Sequence, residues 1–383
     1  MDARLFRRAA CAALVITATT AMSAPEPGSP PPAVDRLGMH VGAVALSSSG
    51  ALTFNRDGIL FLADSRAATI YAVDPAETGQ ASFPTDARYM VADLDLKVAG
   101  LLGTSRDKVR FVDMARNPKT GSLYFSVRRV ADDGGQSALV RVRGNDQVEL
   151  VNLENIRNSS TRLQAAPSAD ARTPWGQPQW TLAVTDLTFL DGELWVAGLS
   201  NEQFASALRR VPFPFGKSTA LTSVEIFHTS HDRWETASPI TSFLPITLNG
   251  TPSLLAGYGC SPIATFTQAD LRKGGHVRGR TVAELGGGSQ PVDMIEYRNG
   301  DKDWILIANS NRTLMRLDPA EIARAPELTT GVGQAFKSAG VGYLSVASAG
   351  VMHMVDMPDQ VAVMMRDTDT GAVHIYGYAK KWL

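Results

Sequence analysis

A strand–turn–strand unit recurs along this chain and restricts the folds that it can adopt. Residues 51–63 read as a strand, an Asp-Gly turn and a second strand, and residues 186–197 repeat that pattern. Short runs of β-branched and aromatic residues on both sides of such a turn are typical of a β-hairpin. Further copies, some weaker or with longer turns, begin at Asp113, Phe243, Asp293 and Met352. A hairpin that recurs along the chain predicts a fold built from repeated sheets.

A third strand follows each hairpin. Residues 63–75 and 308–319 align as Ala-Asp-Ser-Arg and Ala-Asn-Ser-Asn, each followed by a strand that ends in Val-Asp-Pro or Leu-Asp-Pro. Residues 148–153 and 223–227 are candidates for a fourth strand. Four antiparallel strands per unit form a propeller blade. The second strands begin about 60 residues apart, near Leu60, Leu123, Leu194, Leu254, Ile305 and Ala362.

These repeats predict an all-β fold, a single β-propeller domain over residues 37–383. Six blades of four antiparallel strands are favoured, and a seventh, degenerate blade stays open. Residues 373–377 are expected to form the third strand of the last blade, with residues 40–46 from the N-terminal side as its fourth. Such closure of the ring removes exposed sheet edges.

The hairpins and the strands ending in Val-Asp-Pro or Leu-Asp-Pro resemble those of NHL and SMP-30/gluconolactonase-like β-propellers, and the chain is similar to an exported bacterial-type member. The resemblance covers most of residues 37–383. It implies a fold that serves binding scaffolds, lactone hydrolases and lyases. In SMP-30-like hydrolases a Glu, Asn residues and an Asp surround a divalent cation. The resemblance implies that Asp293 or Asp186 takes the place of that Asp, and that Asn201 or Asn309 takes the place of an Asn. The family's early Glu-Gly-Pro motif has no clear counterpart in this sequence.

The N-terminal residues 1–24 have the pattern of a signal peptide. Arg4, Arg7 and Arg8 precede an apolar run of small residues, and Ala21-Met22-Ser23 is a small-x-small cleavage motif with Ala24 following. Residues 25–36 form a Pro-rich linker. The mature protein is therefore expected to be periplasmic or secreted. No later stretch of the sequence is long and apolar enough to predict a membrane span.

Composition and charge exclude several classes of protein. Hydrophobic residues make up 44% and charged residues 20%, which is a globular balance. With 37 Lys and Arg against 38 Asp and Glu, the formal net charge of −1 gives no electrostatic footprint for nucleic acid. No P-loop and no Cys-x-x-Cys-His motif occurs, so neither a nucleotide nor haem is expected. The expected partners are a small polar or anionic ligand, or another exported protein.

One position in the repeat gathers acidic residues. Asp113, Asp186 and Asp293 all begin the innermost strand of a unit, each after Val or Thr and before Met or Leu. Equivalent positions ring the axis of a propeller, so these carboxylates are expected to converge and to suit a divalent cation such as calcium or magnesium. The alternative is that each Asp bonds backbone N–H groups and has only a structural role. The equivalent residues in the other units are His353, Ser242 and Ala51.

The loops after the second strands supply further candidates. They mix Arg, Asn and carboxylate side chains, and Arg presents a fork suited to carboxylate or phosphate groups. A polar ligand bound at this rim is one interpretation, and solvated loop residues are the other. The predicted ligand-binding residues are Arg66, Arg128, Asn201, Asn309, Arg312 and Arg366.

Two further features carry chemistry. Cys260 is the one cysteine left once Cys11 leaves with the leader, so the mature monomer holds no internal disulfide. Its thiol is either a nucleophile that needs a nearby base or a buried, inert side chain. His228 and His231 form a His-x-x-His pair with flanking acids, which is either a zinc or copper site or a solvated connection between blades.

Three functions follow from these observations. The first is an exported propeller that binds a small polar ligand or a partner at its central funnel, through a divalent cation or without one. The second is a metal-assisted hydrolase or lyase, with the cation held by Asp113, Asp186, Asp293 and His353. In that case Asp293 or His353 is the catalytic residue that moves the proton. The third is a structural accessory of another exported or redox protein.

Overall fold

The predicted hairpins form, and Asp, Asn and Gly residues fix their turns. The computed structural model describes residues 35–86, 89–131, 135–144, 147–173, 176–334 and 336–383. Asp191 and Gly192 both have positive φ, at 51° and 79°, and together make the tight turn whose twist matches two antiparallel strands. In the first hairpin, Asn55 Oδ1 accepts hydrogen bonds from the backbone N–H groups of Asp57 and Ile59 at 3.0 and 2.9 Å. The signal peptide predicted at 1–24 and the linker up to residue 34 lie outside the described residues.

The described chain folds into a six-bladed β-propeller, as the repeats predict. Blade 1 has the strand order β1-β9-β4-β3-β2 and blade 2 has the order β5-β6-β7-β8. Their strands, in chain order, are β1 His40–Gly42, β2 Leu52–Phe54, β3 Leu60–Asp64, β4 Thr69–Asp74, β5 Val109–Arg116, β6 Leu123–Arg129, β7 Gln136–Val142, β8 Val148–Leu150 and β9 Ile156–Arg162.

Blades 3 and 4 follow in the chain. Blade 3 consists of β10 to β14, with β18 paired in parallel to β13, and blade 4 has the order β15-β16-β17-β19-β23. Their strands up to β19 are β10 Asp186–Leu190, β11 Glu193–Leu199, β12 Ser206–Pro212, β13 Ala220–His228, β14 Arg233–Glu235, β15 Ile240–Leu248, β16 Thr251–Tyr258, β17 Pro262–Thr267, β18 Gly275–Arg278 and β19 Arg280–Glu284.

Blade 5 has the order β20-β21-β22-β24, and blade 6 consists of β25, β26 and β27. The remaining strands are β20 Pro291–Asn299, β21 Lys302–Asn309, β22 Leu314–Leu317, β23 Ala339–Gly340, β24 Leu344–Val346, β25 Val351–Asp356, β26 Gln360–Arg366 and β27 Val373–Ala379.

Short helices lie between the strands. Thr267 Oγ1 accepts a hydrogen bond from the N–H of Asp270 at the start of the second α-helix, and Asp318 caps the third, where Pro319 follows. Within the described parts of the chain, no helix has the length and apolar character needed to cross a membrane. The helices are α1 Leu94–Leu101, α2 Gln268–Lys273 and α3 Pro319–Arg324, with 3-10 turns at Arg106–Lys108, Gln179–Leu182 and Lys380–Trp382.

The order of the blades around the ring differs from their order in the chain. The innermost strands are neighbours in the order β5, β2, β10, β15, β20 and β25, and β25 packs against β5 again. Blade 2 therefore lies between blade 6 and blade 1. After blade 2 the chain returns as β9, which pairs with β4 and so completes blade 1 before blade 3 begins.

The expected closure of the ring by residues 40–46 is wrong. The β1 strand from that segment pairs with β9 on the outside of blade 1, where His40 lies opposite Asn158. Residues 90 and 91 instead bond the edge of β27, because the Met90 and Val91 N–H groups donate to Ile375 O and the Ile375 N–H donates to Val91 O. The segment before blade 2 closes the ring because blade 2, not blade 1, is the neighbour of blade 6.

The hydrophobic core is divided into six clusters, one between each pair of neighbouring blades. Successive side chains of a strand point to opposite faces of its sheet. In β3, Leu60 and Leu62 pack toward blade 2, whereas Phe61 and Ala63 pack toward blade 3. The second strand of a blade therefore buries both faces, which explains its nearly continuous apolar sequence.

The closure can be tested with two matched substitutions. Val91 is fully buried in the cluster between blades 6 and 2, whereas Val41, on the segment expected to close the ring, is 57% exposed. We expect Val91→Ala to lower the free energy of unfolding by about 1–3 kcal/mol and Val41→Ala by under about 0.5 kcal/mol. Denaturant unfolding of the two variants measures the difference. A larger loss in Val41→Ala would contradict this closure.

Candidate functional site

Irregular pairing precedes the centre-facing residue in four of the six innermost strands. At each of these places the strand gains one unpaired residue, which is a β-bulge. A bulge re-aims the next side chain, here toward the axis of the ring. The register shifts lie between Phe111 and Asp113, Ile240 and Ser242, Pro291 and Asp293, and Val351 and His353.

The three aspartates occupy equivalent positions, as the repeat alignment predicts. Each lies at the start of the regular pairing between the first and second strands of its blade, and each faces a small residue on the second strand. Small partners leave room for the carboxyl groups near the axis. The pairs are Asp113 with Ser126, Asp186 with Ala197 and Asp293 with Ala308.

Each aspartate also links its own blade to the next blade in the ring. Asp113 Oδ2 accepts a hydrogen bond from the Leu52 N–H of blade 1 at 2.6 Å. The same bond joins Asp186 Oδ2 to Phe243 N at 2.7 Å and Asp293 Oδ2 to Met354 N at 2.6 Å. The blades are thus joined in the pairs 2–1, 3–4 and 5–6, all in the same rotational sense. Each aspartate thus has the structural role of bonding backbone N–H groups, and the three carboxyl groups also converge.

His353 completes this group, which we call the central layer: Asp113, Asp186, Asp293 and His353. Its Nδ1 lies 3.2 Å from Asp113 Oδ1 and 3.9 Å from Asp293 Oδ2. These contacts are charge attractions rather than well-aligned hydrogen bonds. The side chains of His353, Asp113 and Asp293 are 14%, 17% and 19% exposed, so they remain within reach of a ligand.

Burial and mutual repulsion raise the pKa values of Asp186 and Asp293. Burial raises the pKa of Asp293 to about 6, with the Asp113 charge adding to the shift and the His353 cation opposing it. Burial and the charge of Asp113 also raise the pKa of Asp186 well above its ordinary value. Burial alone would lower the pKa of His353, but contact with Asp113 and the neighbouring carboxylates raises it instead.

A cavity of about 690 Å³ opens on one side of the central layer, and all four residues of the layer line it. A second cavity of about 400 Å³ lies along the inner strands, and the three aspartates line it as well. The carboxyl groups therefore lie where the two cavities meet. A ligand in the first cavity would contact the aspartates and His353 together.

The predicted rim residues are spread over separate surfaces, and none of them lines the central cavity. Arg312 lines a groove of about 510 Å³ together with Ser310 and Asn311. Arg366 lines another and donates from Nη1 to Gly371 O at 3.0 Å.

The other four rim residues are equally dispersed. The Arg66 guanidinium lies 5.7 Å from the centroid of the Trp180 ring. Asn309 is buried and donates from Nδ2 to Ile307 O at 3.3 Å. Arg128 and Asn201 are exposed. The structure thus gives these six side chains no common site.

The carboxylate oxygens of the central layer keep free lone pairs for a ligand. In Asp186, both carboxylate oxygens accept backbone N–H groups, Oδ1 from Leu187 and Oδ2 from Phe243. A carboxylate oxygen has two lone pairs, so each retains one. The predicted calcium or magnesium ion at this position stays a prediction. In the described chain, the group of three or more metal-ligating side chains whose ligand atoms lie within 4.8 Å of one another is found elsewhere, at His228, His231 and Cys260.

Sequence reasoning missed several polar residues of the cavity wall. Thr185 Oγ1 donates to Ile240 O at 2.5 Å, and Thr241 Oγ1 donates to Gly257 O at 3.1 Å. Ser238 and Gln290 also line the cavity. A signal existed for Thr185 and Thr241, because each directly precedes a centre-facing residue of the repeat. The sequence around Ser238 and Gln290 gives no comparable signal.

Comparison with solved structures finds distant likenesses. The structure is similar to virginiamycin B lyase from Staphylococcus aureus, at 9% identity and a TM-score of 0.32, over 88% of this chain and 99% of that chain. It is similar to a PQQ-bound aldose sugar dehydrogenase from Streptomyces coelicolor, at 12% identity and a TM-score of 0.30, over 89% and 98% of the two chains. Likenesses this distant carry no argument about function.

A chain of a mitotic checkpoint complex is similar at 9% identity and a TM-score of 0.32, over 96% of this chain and 99% of that chain. No protein-family model matches the sequence, and no curated protein matches it either. The propeller is established by the six sheets of the chain itself, while the NHL or SMP-30 resemblance remains a prediction.

The link between blades predicts a stability effect for Asp113. In Asp113→Ala, the Leu52 N–H loses its acceptor and the His353 imidazole loses a neighbouring carboxylate, so we expect the free energy of unfolding to fall by about 1–3 kcal/mol. Asp359→Ala, at an exposed position, is the control and should change it by under about 0.5 kcal/mol. Denaturant unfolding compares the two. Equal stabilities would show that the link contributes nothing.

The raised pKa of Asp293 predicts a pH-dependent stability. The folded protein holds the Asp293 proton up to about pH 6, whereas the unfolded chain releases it near the ordinary aspartate pKa of 3.8. Stability from this group is therefore greatest below about pH 4 and falls as the pH rises through 6. From pH 4 to 6.5, wild type should lose about 2–3 kcal/mol relative to Asp293→Asn.

Chemical unfolding of both proteins at several pH values within that range measures this loss. Asp359→Asn serves as the control, because an exposed carboxyl should leave the pH dependence of wild type unchanged. A stability difference between wild type and Asp293→Asn that stays constant with pH would contradict the raised pKa.

Proposed function

We propose that this propeller binds a small polar ligand in its central cavity, against the central layer. The observation that supports this proposal is the convergence of three carboxyl groups and an imidazole on one cavity of about 690 Å³. Ligand sites are typically concave and hold a few polar groups that fix orientation. The ligand would donate hydrogen bonds to the lone pairs that the aspartates retain.

The charge of the cavity favours a neutral or cationic ligand over an anion. Among the described residues that line the cavity there are three aspartates and one histidine, and no lysine or arginine. An anion placed there would meet carboxylates at short range without a compensating guanidinium or ammonium group. Hydroxyl or amine groups on the ligand would instead find acceptors.

A divalent cation bound by the same layer supports a second candidate function, a metal-assisted hydrolase or lyase. The observation that favours it is the pair of proton-transfer groups in one cavity, Asp293 with a pKa near 6 and His353 with a raised pKa. A general acid or base works best when its pKa is near the operating pH. The oxygen-rich layer suits calcium or magnesium, with ligand or water completing the coordination.

Direct binding measurements test these functions. The probes are glucose as a neutral donor, putrescine as a cationic donor, citrate as an anion, and calcium and magnesium chloride. We expect a neutral, amine or divalent-cation probe to raise the melting temperature. A ligand at 100 times its Kd adds about 2.7 kcal/mol to the free energy of unfolding. Citrate should raise it least. Isothermal titration then gives the affinity and stoichiometry.

The variants Asp113→Asn and Asp293→Asn should lose binding of the probe by about tenfold or more, because each removes an acceptor charge from the layer. Asp359→Asn should bind as wild type does. Tighter binding of citrate than of every other probe, or unchanged binding in both layer variants, would contradict the proposed site. A stoichiometric calcium or magnesium ion, lost in the same variants, would favour the enzyme over the binding protein.

A further inference from the structure

Two sequence features that lie about 30 residues apart meet in the structure. His228 ends β13 and His231 follows it in the turn before β14, whereas Cys260 lies in the turn between β16 and β17. One ring nitrogen of each histidine and the Cys260 Sγ all lie within 4.8 Å of one another. The thiol therefore has two imidazole neighbours that its sequence context does not reveal.

Glu235 orients both imidazole rings. Its Oε2 lies 2.6 Å from His228 Nδ1, and its Oε1 lies 2.8 Å from His231 Nδ1. The two rings are 4.0 Å apart between centroids. Because a carboxylate occupies both Nδ1 atoms, the Nε2 atoms are the ones left for a ligand. A carboxylate behind a histidine is the usual outer-shell partner of metal-binding histidines.

The Nε2 atom of His228 is buried without a hydrogen-bond partner among the described residues. The His228 side chain is only 2% exposed, so water does not reach this nitrogen freely. A buried polar atom without a partner destabilises the fold. This cost is explained if the nitrogen binds a ligand that the protein chain itself does not supply.

A second buried carboxylate holds the two turns together. Glu284 Oε2 accepts from Thr229 Oγ1 at 2.7 Å and from Ser230 Oγ at 2.8 Å. Its Oε1 accepts from Ser261 Oγ at 2.7 Å. These donors are the residues between the two histidines and the neighbour of Cys260. Glu284 thus fixes the distance between the imidazoles and the thiol.

We propose that His228, His231 and Cys260 bind a zinc ion through two imidazole nitrogens and the thiolate. Two imidazoles and a thiolate are ligands that Zn²⁺ prefers, and three protein ligands leave a fourth position for water. His231 is 40% exposed in its side chain and Cys260 is partly exposed, so the ion can enter from solvent. Binding releases the thiol proton to solvent, because the ligand is the thiolate.

This site is separate from the central layer. Gly259, the neighbour of Cys260, lines the central cavity, but none of the three ligands does. The zinc proposal therefore does not depend on the proposed function.

Zinc titration of the full chain tests the proposal, with a chromophoric chelator as competitor. We expect one zinc ion per chain with a Kd below about 1 µM, and at least a 100-fold loss of affinity in Cys260→Ser and in His228→Gln. His40→Gln, on the outer strand of blade 1, is the matched control and should bind as wild type does. Co²⁺ in place of zinc should give a thiolate charge-transfer band that Cys260→Ser lacks.

A second measurement avoids variants of buried residues. Alkylation of Cys260 by iodoacetamide, followed by mass spectrometry of its peptide, should slow at least tenfold when one equivalent of Zn²⁺ is added. His231→Gln changes the most exposed ligand and should remove this protection. An alkylation rate that zinc leaves unchanged in wild type, or equal protection in His231→Gln, would overturn the proposal.

Discussion

The hydrogen bond that an aspartate of one innermost strand accepts from a backbone N–H of the next blade is the interaction on which the centre of the ring depends. It occurs three times with nearly equal length, at Asp113, Asp186 and Asp293. Much of the other contact between neighbouring blades is between apolar side chains, which do not specify direction. The three bonds fix how adjacent innermost strands lie against each other, and they bring three carboxyl groups to the axis.

The same geometry also changes the acid–base behaviour of Asp186 and Asp293. Groups buried to hold the ring together are poorly solvated, and their mutual repulsion adds to the cost of ionising them. The pKa values of Asp186 and Asp293 rise as a result, and the His353 cation at the axis offsets part of the charge. The structural role and the proposed ligand-binding role rest on one arrangement and do not exclude each other.

The order of the blades around the ring is not the order in which the chain forms them. Blade 2 lies between blades 6 and 1, and β9 returns across it to complete blade 1. Each apolar cluster needs only a blade on either side of it. Both faces of every sheet are therefore buried, whatever the order in which the chain visits the blades. The sequence repeats carry the strand pattern of a blade, but they carry no information about which blade is its neighbour.

The sequence by itself determined the propeller, the hairpins with their Asp-Gly turns, and the equivalence of Asp113, Asp186, Asp293 and His353. These features are local or periodic, and a repeat alignment is enough to find them. Only the tertiary structure decided the closure by residues 90–91, the dispersal of the rim residues, and the meeting of Cys260 with His228 and His231. Those contacts join segments far apart in the chain, where no spacing rule applies. The buried carboxylate of Glu284 holds the last of these contacts in place, through Thr229 and Ser261.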